Sequence, residues 1–479
     1  MHTPLHTIRR EVIRTLALVL LLQSGCTKSN EIVDSLEPDE TTSRPLRVVV
    51  IETPLLAGSM KDQWRTHEGG DIEIRELTAQ EVLDTTRLLA DVLIYPSGMI
   101  GELIKRGHLN PLSFPDGESG WHAEAVLEHQ RVVEVGWKDE LYAVSFGSPQ
   151  PFLAYRRDIF EQLEIQPPAT WSDYHKLVEL FDDFRMTSKE QALSQASAEP
   201  LAPGDSAIAL LARAACYVRH SNQYSGLFDF ISMEPLIAGP PFQRALAELV
   251  ECSTARGPGD TADTSASALR KLLSGQSPMA ISWSARDPGS LPITSENSPL
   301  PIAVVELPGS TQAYNVNNQA WEDRQAGDPI HIPLLAVSGR LGSVTELTYD
   351  QRRARQFLMF MSSATLSAKV CRPSPLTFPF RTSHVENISS WLPTEFDNTA
   401  AASLGQVVKN AGSRKNYLFC LRIPGRQQYL EALDEAVQSA LAGNDPATAL
   451  LQAAGRWKKI SEQLGIEQQK AAYRASLGL

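Results

Sequence analysis

An α/β chain with two lobes, each built on a doubly wound sheet, is the architecture the sequence predicts. At 479 residues the chain exceeds the roughly 250 to 300 at which a single core stops growing, so two lobes are expected. Between Leu46 and Gly107 the pattern reads strand, helix, strand, helix, strand, which is the doubly wound signature. Leu46-Arg47-Val48-Val49-Val50-Ile51 is a mostly β-branched run suited to a strand buried on both faces. Asp71-Ile72-Glu73-Ile74 alternates as a second strand would, and Asp91 to Tyr95 makes a third that stops at Pro96-Ser97-Gly98. The helical stretch Ile100 to Gly107 follows.

Further along, a short helix is expected over Arg157 to Leu163, and Thr170 can cap the helix that holds Trp171 and Tyr174. Ser188 to Gly204 is rich in Ser, Ala and Gln, and its pattern fits a surface helix and a loop equally. Ser253 to Ala266 reads as a loop ahead of a helix over Ser267 to Ser274, and Met279 to Trp283 as a buried strand ending in an aromatic. Near the C-terminus Leu430, Leu433, Val437, Ala440 and Leu441 form one helical stripe closed by Gly443. Asp445-Pro446 then opens a second helix, carried by Leu450, Ala454, Trp457, Ile460 and Leu464 and ended by Gly465.

The first residues read differently. Arg9, Arg10 and Arg14 form a positive region ahead of the apolar run Thr15 to Leu22, which is far short of the roughly 20 residues that span a bilayer. Residues 1–25 are therefore an export signal. Leu22-Gln23-Ser24-Gly25-Cys26 resembles a bacterial lipobox, with Gln23 departing from the usual Leu, and the resemblance implies that Cys26 is lipidated and anchors the mature chain to a membrane. Thr27 to Arg44 carries five acidic and two basic residues without an apolar period, so residues 26–45 read as a flexible tether.

A net charge of −12 repels phosphate backbones, and no basic cluster offsets it, so no nucleic-acid partner is expected. Cys216, Cys252, Cys371 and Cys420 show no zinc-ligand spacing, and no metal or cofactor site is read. An exported context permits disulfides. Four unpaired buried thiols fit the same residues. His-Glu-x-x-His, Gly-x-Ser-x-Gly, a phosphate loop and a dinucleotide fingerprint are all missing, so no catalytic residue is assigned.

Four blocks resemble the family 1 extracellular solute-binding proteins, the sugar-binding components of ABC importers. They are Ala90 to Gly98 with Gly107-His108-Leu109-Asn110-Pro111-Leu112; Leu141 to Val144 through Tyr155-Arg156-Arg157-Asp158-Ile159-Phe160 to Pro167-Pro168-Ala169-Thr170-Trp171; Met279 to Trp283; and Tyr429 to Leu433 with Arg456-Trp457. Glu164 departs from the pattern, which places Gly after the short helix. The resemblance implies a type II periplasmic-binding-protein clamp. Lobe one would comprise residues 46–152 and 330–385, and lobe two residues 153–329 and 386–479. A clamp must open and a bridge between lobes would resist that, so the resemblance implies that any disulfide joins two of Cys216, Cys252 and Cys420, all in lobe two, with Cys371 free.

It further implies that the chain, as a monomer, captures a small polar solute, expected to be a carbohydrate, and presents it to importer permease subunits. Matching the family's ligand positions implies Glu52, Thr53, Ser97 and Gly98 on one lobe, Tyr155 and Trp283 as stacking aromatics on the other, and Arg422, Arg426 and Tyr429 as further contacts. Two other classes are consistent with the same residues: an envelope lipoprotein that uses the clamp as a sensor or scaffold, and a glycoside-active enzyme, since two facing carboxylates leave no trace in spacing.

Overall fold

Burial on both faces is what the opening β-branched run requires, and the computed structural model meets that requirement. It describes residues 44–67, 70–113, 122–187, 193–221, 223, 225–255, 263–284, 300–393 and 395–479. The export signal, Cys26 and nearly all of the tether lie outside the described residues.

In chain order the first elements are β1 (Leu46–Ile51), α1 (Pro54–Trp64), β2 (Ile72–Leu77), α2 (Ala79–Asp84), β3 (Val92–Pro96) and α3 (Ile100–Lys105). A π-type turn, His129–Val133, precedes the short strands β4 (Gly136–Trp137), β5 (Glu140–Leu141) and β6 (Val144–Ser145). Next come β7 (Phe152–Arg156), α4 (Arg157–Gln162), α5 (Trp171–Thr187), α6 (Ser206–Val218), α7 (Pro240–Ala255), α8 (Ser265–Leu273), β8 (Met279–Ser282) and β9 (Ile302–Glu306). A hairpin, β10 (Gln312–Asn315) and β11 (Ala320–Asp323), leads to β12 (Leu334–Leu335) and β13 (Arg340–Val344). The chain ends through α9 (Gln351–Met361), α10 (Ser367–Cys371), α11 (Thr382–Glu386), α12 (Asn398–Ser413), β14 (Leu418–Phe419), α13 (Arg426–Leu441), α14 (Pro446–Leu464) and α15 (Ile466–Ser476).

Five strands form one sheet in the order β2-β1-β3-β13-β6. β1 pairs parallel with β2 and β3, and β13 returns antiparallel between β3 and β6. Alternation sorts its side chains. Val48, Val50, Val92, Ile94 and Val344 pack with Leu56, Met60 and Trp64 of α1 and Phe357 and Met361 of α9, whereas Val49, Ile51, Leu93 and Tyr95 face Ile100 and Leu103 of α3.

A second sheet, β8-β7-β9, pairs antiparallel throughout. Helices cover both of its faces: Phe152, Ala154, Ala280, Ile302 and Val304 pack with α8 and α12, and Leu153, Met279 and Ile281 join the cluster of α5, α6 and α7. The ambiguous stretch resolves here over its described part, residues 193–204. It forms no helix; Ala198 bridges Ala280, and Glu199 pairs with the buried Arg213 at 2.9 Å. Backbone bonds to β8 and an ion pair, and not an apolar period, accompany its burial. At the C-terminal end the helices α13 and α14 stand as the periodicity predicts, with Thr448 donating its backbone N–H to Asp445 Oδ2 at 2.8 Å. Sequence reading missed α15, whose Tyr473 is buried against Phe228. Cys216, Cys252, Cys371 and Cys420 are all buried, and no disulfide joins any two of them. No helix among the described residues is long and apolar enough to cross a membrane.

Glu164 takes a left-handed backbone, φ 53°. The N–H of Ile165 bonds to the carbonyl of Phe160 at 3.0 Å and that of Glu164 to Glu161 at 3.2 Å, the two bonds of a Schellman motif. This motif explains why relatives place Gly there. Replacing Glu164 by Gly should raise stability by about 1 kcal/mol, since a side chain at positive φ costs about that much; a urea unfolding midpoint that falls in the variant contradicts this.

Acid sensitivity follows from two buried histidines. Phe380 N–H points at His384 Nδ1 (3.4 Å), so Nε2 carries the proton toward Ser367 Oγ (3.0 Å), and a second proton has no acceptor. Burial, with the nearby Arg381 cation, pushes His384 down to about 3, and burial pushes His129 down to about 4. Between those values and the unfolded value of about 6.5 the unfolded chain binds more protons, so stability is full above pH ~6.5 and falls as pH drops toward 4. Urea midpoints at pH 7.5 and 5 should differ by less in His384→Asn than in the wild type; an equal difference contradicts the assignment.

Candidate functional site

In open α/β sheets ligand groups collect where loops leave the carboxyl ends of strands. β1, β3 and β6 end at one edge of the five-stranded sheet, and β13 begins there with Arg340 opposite Pro96. In the second sheet, the last residues of β8 and β9, Ser282 and Glu306, both stand opposite Phe152, the first of β7. Residues 146–151, which join β6 to β7, therefore run from the carboxyl edge of one sheet to the carboxyl ends of β8 and β9.

Several predicted residues meet at the first edge. Thr53 Oγ1 donates to the carbonyl of Ile51 at 2.8 Å and accepts from the buried Arg340 Nε at 2.7 Å. Beside it Glu52 is exposed, at φ 48°, and its Oε1 accepts from the N–H of Ala79 at the start of α2 (3.0 Å). Ser97 donates its backbone N–H to Gly339 O at 2.8 Å, and its buried Oγ makes no hydrogen bond of good geometry. Gly98 lies directly under Arg426, where any Cβ would overlap the guanidinium. That guanidinium is itself committed to the carbonyls of Leu421 and Val337, both at 2.8 Å.

Arg422 is fully buried. Its Nη1 donates to the carbonyls of Glu134 (2.7 Å) and Val133 (3.2 Å), its Nη2 to that of Ser476 (2.6 Å), and its plane lies 4.6 Å from the ring centre of Phe419. Desolvation pushes it down to about 10. Tyr429 lies in an aromatic cluster with Phe228 and Trp457, its hydroxyl bonded to Ser461 Oγ at 2.9 Å.

The two predicted stacking residues stand at opposite ends of the second sheet. Trp283 follows Ser282 at the end where the crossing segment enters; it is 6% exposed, and its N–H bonds to Ser265 Oγ at 2.9 Å. Tyr155, opposite Met279, is at the far end, half-buried against Phe160 with ring centres 4.6 Å apart.

Sequence reasoning missed a buried polar group along the crossing segment. Ser148 Oγ donates to Glu134 Oε1 in a short bond, Ser145 Oγ donates to Gln130 Oε1 at 2.9 Å, and Gln150 Nε2 contacts His129 Nε2 at 3.2 Å. Glu134 Oε2, Gln130 Nε2 and Gln150 Oε1 are buried without a hydrogen bond in the described structure. Burial raises the Glu134 carboxyl above the usual range, opposed by the hydroxyls of Ser148 and Ser97 and the charge of Arg422. A signal existed: Glu134 interrupts the run Val132-Val133-Val135, and Ser148-Pro149-Gln150-Pro151 places polar residues in a stretch that proline keeps extended. Cavities of about 440 Å³ beside Arg219, Lys415 and Tyr417 and beside Pro167, His331 and Asn410 contain none of the predicted residues.

Comparison with known proteins places the chain. No curated protein matches it in sequence. Among solved structures it is similar to an ABC transporter solute-binding protein from Agrobacterium radiobacter K84 in complex with ribitol: TM-score 0.64, 18% identity, covering 87% of this chain and 98% of that one. Maltose-bound MalE3 of T. maritima aligns with TM-score 0.61 at 15% identity, covering 87% and 100%. The GacH receptor of Streptomyces glaucescens, solved unliganded and with acarbose, gives 0.59 at 14%, covering 87% and 99%. At such identities the likeness carries the fold, the type II periplasmic-binding-protein architecture. Residues 74–398 match the family model described as bacterial extracellular solute-binding protein, and the chain belongs to that family.

Proposed function

We propose that the protein is the solute receptor of an ABC importer: it captures a carbohydrate or polyol at the crossing segment 146–151, works as a monomer, and delivers the ligand to permease subunits. One observation carries this reading. The strand ends of both sheets address the crossing segment, and a buried polar group lies along it. Captured between halves comprising 46–152 with 330–385 and 153–329 with 386–479, a solute would meet Ser97, Gly98 and the Thr53–Arg340 pair on one side. Trp283 would stack from the other. Arg422 and Arg426 fix the loops they clamp, Glu52 and Tyr429 support the neighbouring elements, and Tyr155 lies at the far end of the second sheet from Trp283. Ribitol, maltose and acarbose, named with the similar structures, support a polyhydroxylated ligand and, with the family, a binding role in place of a catalytic one.

The reading is checked by thermal melting against ribitol, mannitol and maltose. A true ligand at about 100 times its dissociation constant adds about 2.7 kcal/mol to stability. Trp283→Ala should then cost on the order of 1 to 3 kcal/mol of binding, on the scale of aromatic stacking, and less than the roughly 3 to 5 kcal/mol of stability lost on truncating a core tryptophan. Unchanged affinity with a large loss of stability makes Trp283 a packing residue.

Anchoring is proposed at Cys26, after removal of residues 1–25, with the mature chain on the extracytoplasmic face. Cys26→Ser should release the protein into the soluble fraction. A variant that still partitions with membranes contradicts the lipid anchor.

A further inference from the structure

A chain whose net charge is −12 gathers positive charge at the carboxyl edge of its five-stranded sheet. Arg340 is 4% exposed, so its guanidinium is held largely out of water. Its Nε donates to Thr53 Oγ1 at 2.7 Å and its Nη1 to the carbonyls of Ser338 (3.0 Å) and Gly339 (3.4 Å). Nη2 makes no hydrogen bond among the described residues and is not sealed from solvent. Arg426 grips the preceding carbonyl, that of Val337, with Nη2 and that of Leu421 with Nε, and its Nη1 is left open in the same way. The two guanidiniums flank one loop. Arg340 stands opposite Pro96 in the ladder, and Arg426 lies over Gly98, where a Cβ would overlap it.

Arg422, close by in the chain, is fully buried on backbone carbonyls. All three arginines bond to neutral atoms, and none forms an ion pair among the described residues. Desolvation pushes Arg340 and Arg422 down to about 10, which leaves both charged at neutral pH. The carboxylates that act on them compensate weakly. Glu52 is exposed with Oε1 on the N–H of Ala79, and burial raises the Glu134 carboxyl, which favours its uncharged form.

A charge taken out of water is costly unless it is paired. Carbonyl dipoles satisfy the inner nitrogens, and the two open nitrogens remain for a further acceptor. A neutral hydroxyl would leave the charge standing, whereas an oxyanion brings several acceptor oxygens together with the compensating charge. Screening over about 8 Å at physiological ionic strength lets this local charge outweigh the acidic balance of the whole chain.

We infer that Arg340 and Arg426 form an oxyanion-reading pair, which takes the carboxylate or phosphate of an acidic sugar or sugar alcohol through Arg340 Nη2 and Arg426 Nη1. The inference rests on the solute-binding reading and adds the charge of the solute to it.

The test is calorimetric titration of the full mature chain with matched compounds: ribitol, D-ribonate and ribitol 5-phosphate; D-mannitol and D-mannonate; maltose; and inorganic phosphate. At least one acid should bind about tenfold or more tightly than its neutral counterpart, and the tighter of ribonate and ribitol 5-phosphate names the oxyanion. Its affinity should fall as salt is raised from about 0.05 M to about 0.5 M, while that of a neutral compound stays level. Arg426→Gln and Arg340→Gln should each bring the ratio of acid to neutral affinity close to one, with Arg426→Lys keeping part of the preference. Neutral compounds that match or exceed their acids in the wild type overturn the pair and leave the solute reading standing, and a wild type that binds nothing in the panel overturns both. A preference for the acid that survives in both glutamine variants overturns the assignment to these residues. Inorganic phosphate that binds as tightly as ribitol 5-phosphate overturns the acidic sugar. Should Arg340→Gln fail to fold, Arg426→Gln, whose side chain is only partly buried, decides on its own.

Discussion

The pairing of Arg340–Val344 with Val92–Pro96 is the constraint on which the rest of the molecule depends. The chain leaves the five-stranded sheet at Ser145 and returns at Arg340, and everything between, including the whole of the second sheet, is an excursion that closes at this pairing. Loop-closure entropy must be met before such a distant contact forms, and the antiparallel ladder is reinforced accordingly. Tyr95 hydroxyl bonds Ser343 Oγ at 2.8 Å, Thr345 Oγ1 donates to Ala90, and the Arg340 side chain reaches Thr53. Because β13 also binds β6, departure and return are adjacent in space, and the crossing segment starts beside the strand that closes the excursion.

From that adjacency the buried polar group follows without special devices. Once β6 and β13 are neighbours, Gly147 must pass against the backbone of Phe378, which its positive φ of 96° and lack of a side chain permit. Ser148 then falls beside Gly339, and the π-type turn of His129–Val133 supplies Glu134 from below. Burial alone would expel such a carboxyl. It persists because a hydroxyl and a neighbouring guanidinium hold it in place.

Elements whose pattern is one-dimensional were legible in the sequence: the β-branched first strand, the 3.6-residue stripes of α13 and α14, the Thr170 and Asp445 caps. The residue pattern placed Ser97 and Trp283 at strand ends, and the register of β8 shows Trp283 at the crossing segment while Tyr155 stands at the other end of the sheet. Such a distinction lies beyond sequence, since both residues end or interrupt apolar runs and only pairing tells which end faces where. Glu134, Ser148 and Gln150 were missed for a related reason: their meaning arises from elements far apart in the chain. Glu164 is the converse case, a departure visible as a letter whose backbone strain is visible only as an angle.

The four buried thiols have a use that no bridge would allow. Burial pushes Cys216 up to about 12 and Cys371 up as well, and since the thiolate is the reactive form, alkylating reagents reach these sulfurs only when the surrounding layer opens. Cys371 sits among Trp64, Phe357 and Met361, whereas Cys216 and Cys252 lie in the helical layer with Tyr174 and Phe242. The chain therefore carries native clocks in separate layers, and the order in which they are labelled reports which part of the fold loosens first.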